Sequence, residues 1–142
     1  MKIREADAND VTQLALLMKH LGYPTTSEEM QKRFHNIEDN GYQTFVALYE
    51  DRVIGMIGLV KAYYYEMNGA YVRILALVVD PNYRNQGVGK QLVDTAEKWS
   101  KNIGASLIAL NSGKRSERTA AHRFYKNYGF AEKSIGFVKS LT

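Results

Sequence analysis

Apolar residues recur along the chain with two periods, and the switches between them mark out its elements. After an extended start at residues 2–6, Val11, Leu14, Leu17, Met18 and Leu21 fall at helical spacing, with Gly22 as a stop. Ser27, followed by Glu28 and Glu29, reads as an N-cap with acidic first-turn residues, leading into a second helix through Met30, Phe34 and Ile37. Gly41 is expected to end it. The pattern then turns β-rich over residues 44–49 and 53–65, with the polar turn Glu50-Asp51-Arg52 between them. Asn68-Gly69 signals a hairpin before a third strand at 71–79. Its run Ile74-Leu75-Ala76-Leu77-Val78-Val79 is apolar at every position, as a strand covered on both faces requires.

A glycine-bearing turn precedes an amphipathic helix with Val88, Leu92, Val93, Ala96, Trp99 and Ile103 on one side and Gly104 as its stop. A short strand at 106–110 follows, then a helix capped by Ser116 that runs through Ala120, Ala121, Phe124 and Tyr125 to Tyr128, closed by Gly129. Residues 130–141 read as one or two terminal strands broken near Gly136. The order β-α-α-β-β-β-α-β-α-β(β) predicts an α/β fold with a mixed sheet and helices on both faces. Its 142 residues predict a single domain, 1–142.

Composition removes several chemistries. The chain has no Cys, which excludes disulfides, thiolate nucleophiles and Cys-ligated metal sites. His20, His35 and His122 are too scattered for a local metal-ligand pattern, and no metal is expected. Met1-Lys2-Ile3-Arg4-Glu5 is charged with no apolar region behind it, unlike a signal peptide. No apolar run approaches the ~20 residues of a membrane helix, so no membrane partner and a cytoplasmic location are expected. Net charge is +4, but residues 1–80 balance to −3 and residues 81–142 to +7. A polyanion beside the second half would suit that asymmetry: nucleic acid, a phosphorylated cosubstrate, or neither if the face is simply solvated.

The stretch Asp80-Pro81-Asn82-Tyr83-Arg84-Asn85-Gln86-Gly87-Val88-Gly89-Lys90 joins the buried strand to a helix. The first turn of a helix leaves N–H groups unpaired and partly positive, and glycine lets an anion approach them. A dinucleotide fingerprint fails because Leu92 stands where Gly or Ala is needed. A nucleotide P-loop fails because Gln91 follows Gly89-Lys90.

Leu77-Val78-Val79-Asp80-Pro81-x-Tyr83-Arg84-x-x-Gly87-x-Gly89 instead resembles the acetyl-CoA motif of the GNAT superfamily of N-acetyltransferases. About forty residues on, Ala121-x-x-Phe124-Tyr125-x-x-Tyr128-Gly129-Phe130 is similar to that family's second motif. The resemblance covers the element order of the whole chain. It implies the acyl-CoA N-acyltransferase fold and transfer of an acetyl group from acetyl-CoA to a primary amine of a small molecule or peptide. Turn amides of Arg84, Asn85, Gln86, Gly87, Val88, Gly89 and Lys90 would bind the pyrophosphate. Backbone groups of Leu77, Val78 and Val79 would hold pantetheine and polarise the thioester carbonyl.

By the same resemblance, Tyr125 would be the general acid for the departing thiolate, with Phe124 and Tyr128 as core aromatics. Where many relatives carry Asn, this chain has Arg118. Asn111 would then supply an amide to the cosubstrate, and Arg118 would meet the adenosine phosphate. No residue announces itself as general base; Glu28, Glu66, Asp80 and His122 are candidates by chemistry alone, beside a water chain. Tyr23, in the loop Tyr23-Pro24-Thr25-Thr26, and Tyr63 and Tyr65 would line the acceptor site, where aromatic and acidic groups suit a cationic amine. Leu21-Gly22-Tyr23-Pro24 and Asn111-Ser112-Gly113 are similar to small bacterial members of aminoglycoside-acetyltransferase type. A homodimer is common in the family. With no Cys, transfer would be direct, without a covalent enzyme intermediate. Two rivals remain: an acyl-CoA-binding sensor without turnover, and a basic nucleic-acid-binding module using Lys114, Arg115, Arg118, Arg123 and Lys126. No recognised nucleic-acid motif accompanies that cluster, so nucleic acid is not the expected partner.

Overall fold

The computed structural model describes residues 1–38, 40–112 and 119–142. The elements are β1 (Lys2–Glu5), α1 (Val11–Leu21), α2 (Ser27–Ile37), β2 (Tyr42–Tyr49), β3 (Arg52–Tyr63), β4 (Ala70–Val79), α3 (Val88–Asn102), β5 (Ala105–Leu110) and α4 (Thr119–Asn127). They form one five-stranded mixed sheet in the order β1-β2-β3-β4-β5. The first four strands pair antiparallel, and β5 joins β4 in parallel across the α3 crossover.

Helices cover both faces. Phe45, Ile54, Ile57, Val72 and Ile74 face Val88, Leu92, Val93 and Ala96 of α3 on one side, with Phe124 and Tyr128 of α4 packed at the margin. Val46, Leu48, Val53, Met56 and Val78 face Leu14 and Leu17 of α1 and Met30 and Phe34 of α2 on the other. Adjacent residues such as Phe45 and Val46 fall in different cores because strand side chains alternate.

Three expectations change. The cap of α2 is Thr26, not Ser27: the Glu29 N–H donates to Thr26 Oγ1 at 3.1 Å, and the Thr26 N–H donates back to Glu29 Oε1 at 3.0 Å. The reciprocal box needs Glu or Gln three residues after the cap, which Thr26 has and Ser27 lacks. The same helix ends at Ile37, ahead of Gly41. Residues 131–142 form no strand and are exposed, so the terminal strand or strands expected over 130–141 are absent. A strand needs a ladder partner for its backbone, and no described residue supplies one there. The expected Ser116 cap lies outside the described residues.

Candidate active site

The site begins with an interruption in β4. Opposite β3, Gly58 pairs with Ala76 and Leu59 with Ile74, which leaves Leu75 as an extra residue, a β-bulge. The bulge reverses the strand's facing: Val72 and Ile74 lie toward α3, and so do Leu77 and Val79. Pairing with β5 stops at the same place, Ile74 with Leu110 being the last pair. Beyond it β5 has ended while β4 runs on to Val79. Residues 76–79 remain paired with β3 on one side and have no β5 partner on the other, and the bulged Leu75 is 53% exposed. Among the described residues, alternate N–H and C=O groups of Leu77, Val78 and Val79 therefore edge a gap in the ladder.

At the end of β4 the chain is held firmly. The buried Asp80 accepts from the Asn82 N–H at 2.9 Å, donates its own N–H to the Ile54 carbonyl at 2.8 Å, and meets Arg52 at 3.4 Å. Its carboxylate is committed to this corner, which weakens its candidacy as a base. After the 3-10 turn at Pro81–Tyr83, Asn85 and Gly87 both take left-handed backbone, at φ 63° and 82°. Gly87 is the residue that starts α3, and no side chain caps the helix or adds an acid to its first turn. Among the described residues no side chain pairs with the first N–H groups of α3, which lie beside Arg84 and Lys90, a cradle suited to a phosphate. Val88, fully buried below, anchors it.

Two glycines set the depth of this cradle. A Cβ on Gly55 of β3 would lie 3.1 Å from the Val78 carbonyl oxygen and 3.1 Å from Val88 Cγ1, so a side chain there would press the start of α3 away from the sheet. Sequence reasoning missed it; a glycine inside a strand pattern was the available signal. Leu75 was equally invisible, because a bulge has no residue signature of its own. On Gly89 a Cβ would lie 3.3 Å from the Phe124 ring. Gly89 therefore serves the contact between α3 and α4, which joins the two sequence motifs in space.

On α4 the three aromatics separate by environment. Phe124 and Tyr128, 4.8 Å apart between ring centres, pack on the α3-side core. Burial, then Asp94 and Glu97 of α3, push the Tyr128 phenol above its ordinary range. Tyr125 is half-buried, edge-on to Phe124 at 5.5 Å and to Phe130 at 5.8 Å. Asn111 directly follows the last paired residue of β5, at the open end of the gap. Arg118 lies outside the described residues, as do Lys114 and Arg115, while Arg123 and Lys126 are exposed on α4.

The tyrosines named for the acceptor are not gathered here. Tyr63 pairs with Ala70 at the far end of the β3–β4 hairpin, and Tyr65 projects from its loop. Ala70 and Val79 are the two ends of the ten-residue β4, about 30 Å of strand apart. Tyr23 sits exposed in the α1–α2 connection. Among the other base candidates, Glu28 and Glu66 are exposed and His122 is half-buried on α4. Among the described residues no three His, Asp or Glu side chains gather as a metal site.

A family model, the acetyltransferase (GNAT) family, matches residues 9–130. The chain belongs to this family. It is 33% identical to the aminoalkylphosphonate N-acetyltransferase of Salmonella typhimurium over 106 residues, 75% of this chain and 68% of that one. A GNAT family acetyltransferase of Staphylococcus aureus superposes with a TM-score of 0.85 at 33% identity, covering 99% of this chain and 98% of the other. An aminoglycoside acetyltransferase from a soil metagenome, solved with sisomicin, gives 0.80 at 22% identity, covering 99% and 96%, and speaks for the fold alone. The protein is thus an enzyme of the N-acetyltransferase class, and GNAT enzymes in general use acetyl-CoA as cosubstrate. The gap and cradle fit that group: an unpaired strand edge for an amide-bearing arm, and an uncapped helix start for its phosphates.

Proposed function

We propose that the protein transfers an acetyl group from acetyl-CoA directly to the primary amine of a small molecule. The observation that carries the reading is the end of β4–β5 pairing at Ile74, five residues before β4 itself ends, with the uncapped start of α3 just after β4. Backbone amides of Arg84 to Lys90 hold the pyrophosphate, and Asn111 and Arg118 are the further contacts. The free edge at Leu77, Val78 and Val79 receives the pantetheine arm and directs an N–H at the carbonyl oxygen as it becomes negative. The amine nitrogen forms a bond to the acetyl carbon, the carbon–sulfur bond breaks, and the Tyr125 hydroxyl gives its proton to the sulfur. The amine proton leaves to solvent, since no single side chain stands out as base, and Tyr125 recovers a proton from solvent, which closes the cycle.

The Salmonella relative makes aminoalkylphosphonates the first acceptors to try, and the aminoglycoside likeness the second. The cytoplasm is the compartment we infer. The test is thiol release from acetyl-CoA with both classes of amine and with peptides. Amine-dependent release supports the proposal. Tight acetyl-CoA binding without release from any acceptor would favour a sensor.

A further inference from the structure

The two faces of β4 are covered unequally. Toward α3, Val72, Ile74, Leu77 and Val79 all pack on a filled core. Toward α1 and α2, the packed core includes Val78 and Ala76 and, among the described residues, goes no further back along β4. An acetyl group held at the edge of Leu77 to Val79 is therefore approached from this second face, over the exposed Leu75.

Arg73 lies on that face. Val72 and Ile74, on either side of it, belong to the α3 core, and strand side chains alternate. Its cross-strand neighbours are Val60 of β3 and Ala109 of β5, both half-buried. The diagonal positions Gly58, Ala62 and Leu107 carry no charge either. Arg4 and Arg52 each meet a carboxylate, Asp10 and Asp80. Arg73 is half-buried, and among the described residues its guanidinium has no hydrogen bond and no ion pair. A partly desolvated cation with apolar neighbours gains most from an anion that a ligand brings to it.

We propose that Arg73 selects the acceptor: a small primary amine that carries an anionic group, phosphonate or carboxylate, a few bonds from its nitrogen. The inference rests on the acetyl-transfer reading above and adds the class of amine. Four steps of β4 separate Arg73 from Leu77. That is about 13 Å of strand, of which an arginine side chain spans about half, leaving room for about two or three carbons between nitrogen and anion. The guanidinium fork takes two oxygens of either anion side by side, which turns the amine toward the acetyl carbon. Tyr71, two residues back on the same face and 5.0 Å from the Tyr64 ring centre, borders the far side of this short site.

Thiol release from acetyl-CoA should be compared for aminoethylphosphonate, β-alanine and neutral propylamine, in the parent and in Arg73→Met and Arg73→Lys. The parent should favour at least one anionic amine over propylamine by about tenfold or more in kcat/KM, and the two anionic arms tell phosphonate from carboxylate. Arg73→Met should lose about 10²-fold on the favoured anionic amine, mostly in its KM, with propylamine turnover and the KM for acetyl-CoA little changed. Arg73→Lys should recover part of that loss. Equal losses on charged and neutral amines would overturn the proposal, because Arg73 would then serve the fold or the cosubstrate. A parent without the anionic preference overturns it too, as does a preference that survives in Arg73→Met. If no amine releases thiol, the transfer reading fails, and calorimetry of aminoethylphosphonate and β-alanine against the coenzyme A complex decides the anion site separately. Binding that Arg73→Met abolishes supports the site, and absent or unaltered binding overturns it.

Discussion

Tyr125 and Phe124 are neighbours in sequence with different surroundings. Phe124 wedges between Gly89 and Tyr128, while Tyr125 keeps a half-buried hydroxyl-bearing ring outside that core. Replacing Tyr125 by Phe keeps the ring contacts and removes the proton donor. Turnover is expected to fall by about 10²-fold with the KM for acetyl-CoA little changed, measured by steady-state thiol release. Unchanged kcat would remove Tyr125 from the mechanism. Gly87 tests the cradle differently. Nothing lies within 4 Å of a Cβ placed there, yet φ is 82°, so Gly87→Ala meets backbone strain and not a clash. The cost is about 1 kcal/mol, and acetyl-CoA affinity measured by calorimetry should drop about fivefold as the first turn of α3 relaxes. The motif glycines were legible in the chain. Their distinct duties were not, because conformation at Gly87 and helix contact at Gly89 look identical in one dimension.

The elements are placed by a few long-range contacts that no local pattern announces. Arg4 of β1 reaches Asp10 with two bonds, 2.8 and 2.9 Å, and Asp10 also accepts from the Asp7 N–H, so the edge strand is tied to the start of α1. The hydrogen bond from Arg4 is the main reason that the Asp10 carboxyl sits below its ordinary value. A lowered carboxyl contributes stability above the unfolded value of ~3.9 and loses it as pH falls through the folded value. Asp10→Asn should therefore cost about 2 kcal/mol near neutral pH, and the variant's denaturation midpoint should decline less than the parent's below pH ~4. Equal acid slopes in the two proteins would refute the assignment. Element types and order were readable from periodicity as far as α4, but not over residues 130–141. The bulge at Leu75 was hidden by a run apolar at every position, since burial on both faces erases the alternation that a one-residue slip would disturb.

At the scale of the whole molecule, the charge division acquires a location. The half with a balance of +7 carries the cradle at the start of α3 and the helix α4 behind it, and the half with −3 carries α1, α2 and most of the sheet. If phosphates bind at that cradle, the KM for acetyl-CoA should rise a few-fold between ~0.05 M and ~0.5 M salt while kcat at saturation holds. A KM indifferent to salt would separate the charge asymmetry from cosubstrate binding. The sequence by itself determined the element order as far as α4, the covering of both sheet faces and the two motifs, because these depend on period and glycine placement within a few residues. Only the tertiary structure decided three other features: where the β4–β5 pairing ends, that Tyr63 lies far along the strand from the cradle, and that residues 131–142 form no strand with any described residue. Those features depend on which strand edges meet. Strand pairing joins residues distant in sequence, and its backbone bonds are blind to side-chain identity, so the chain carries no local record of where a ladder stops.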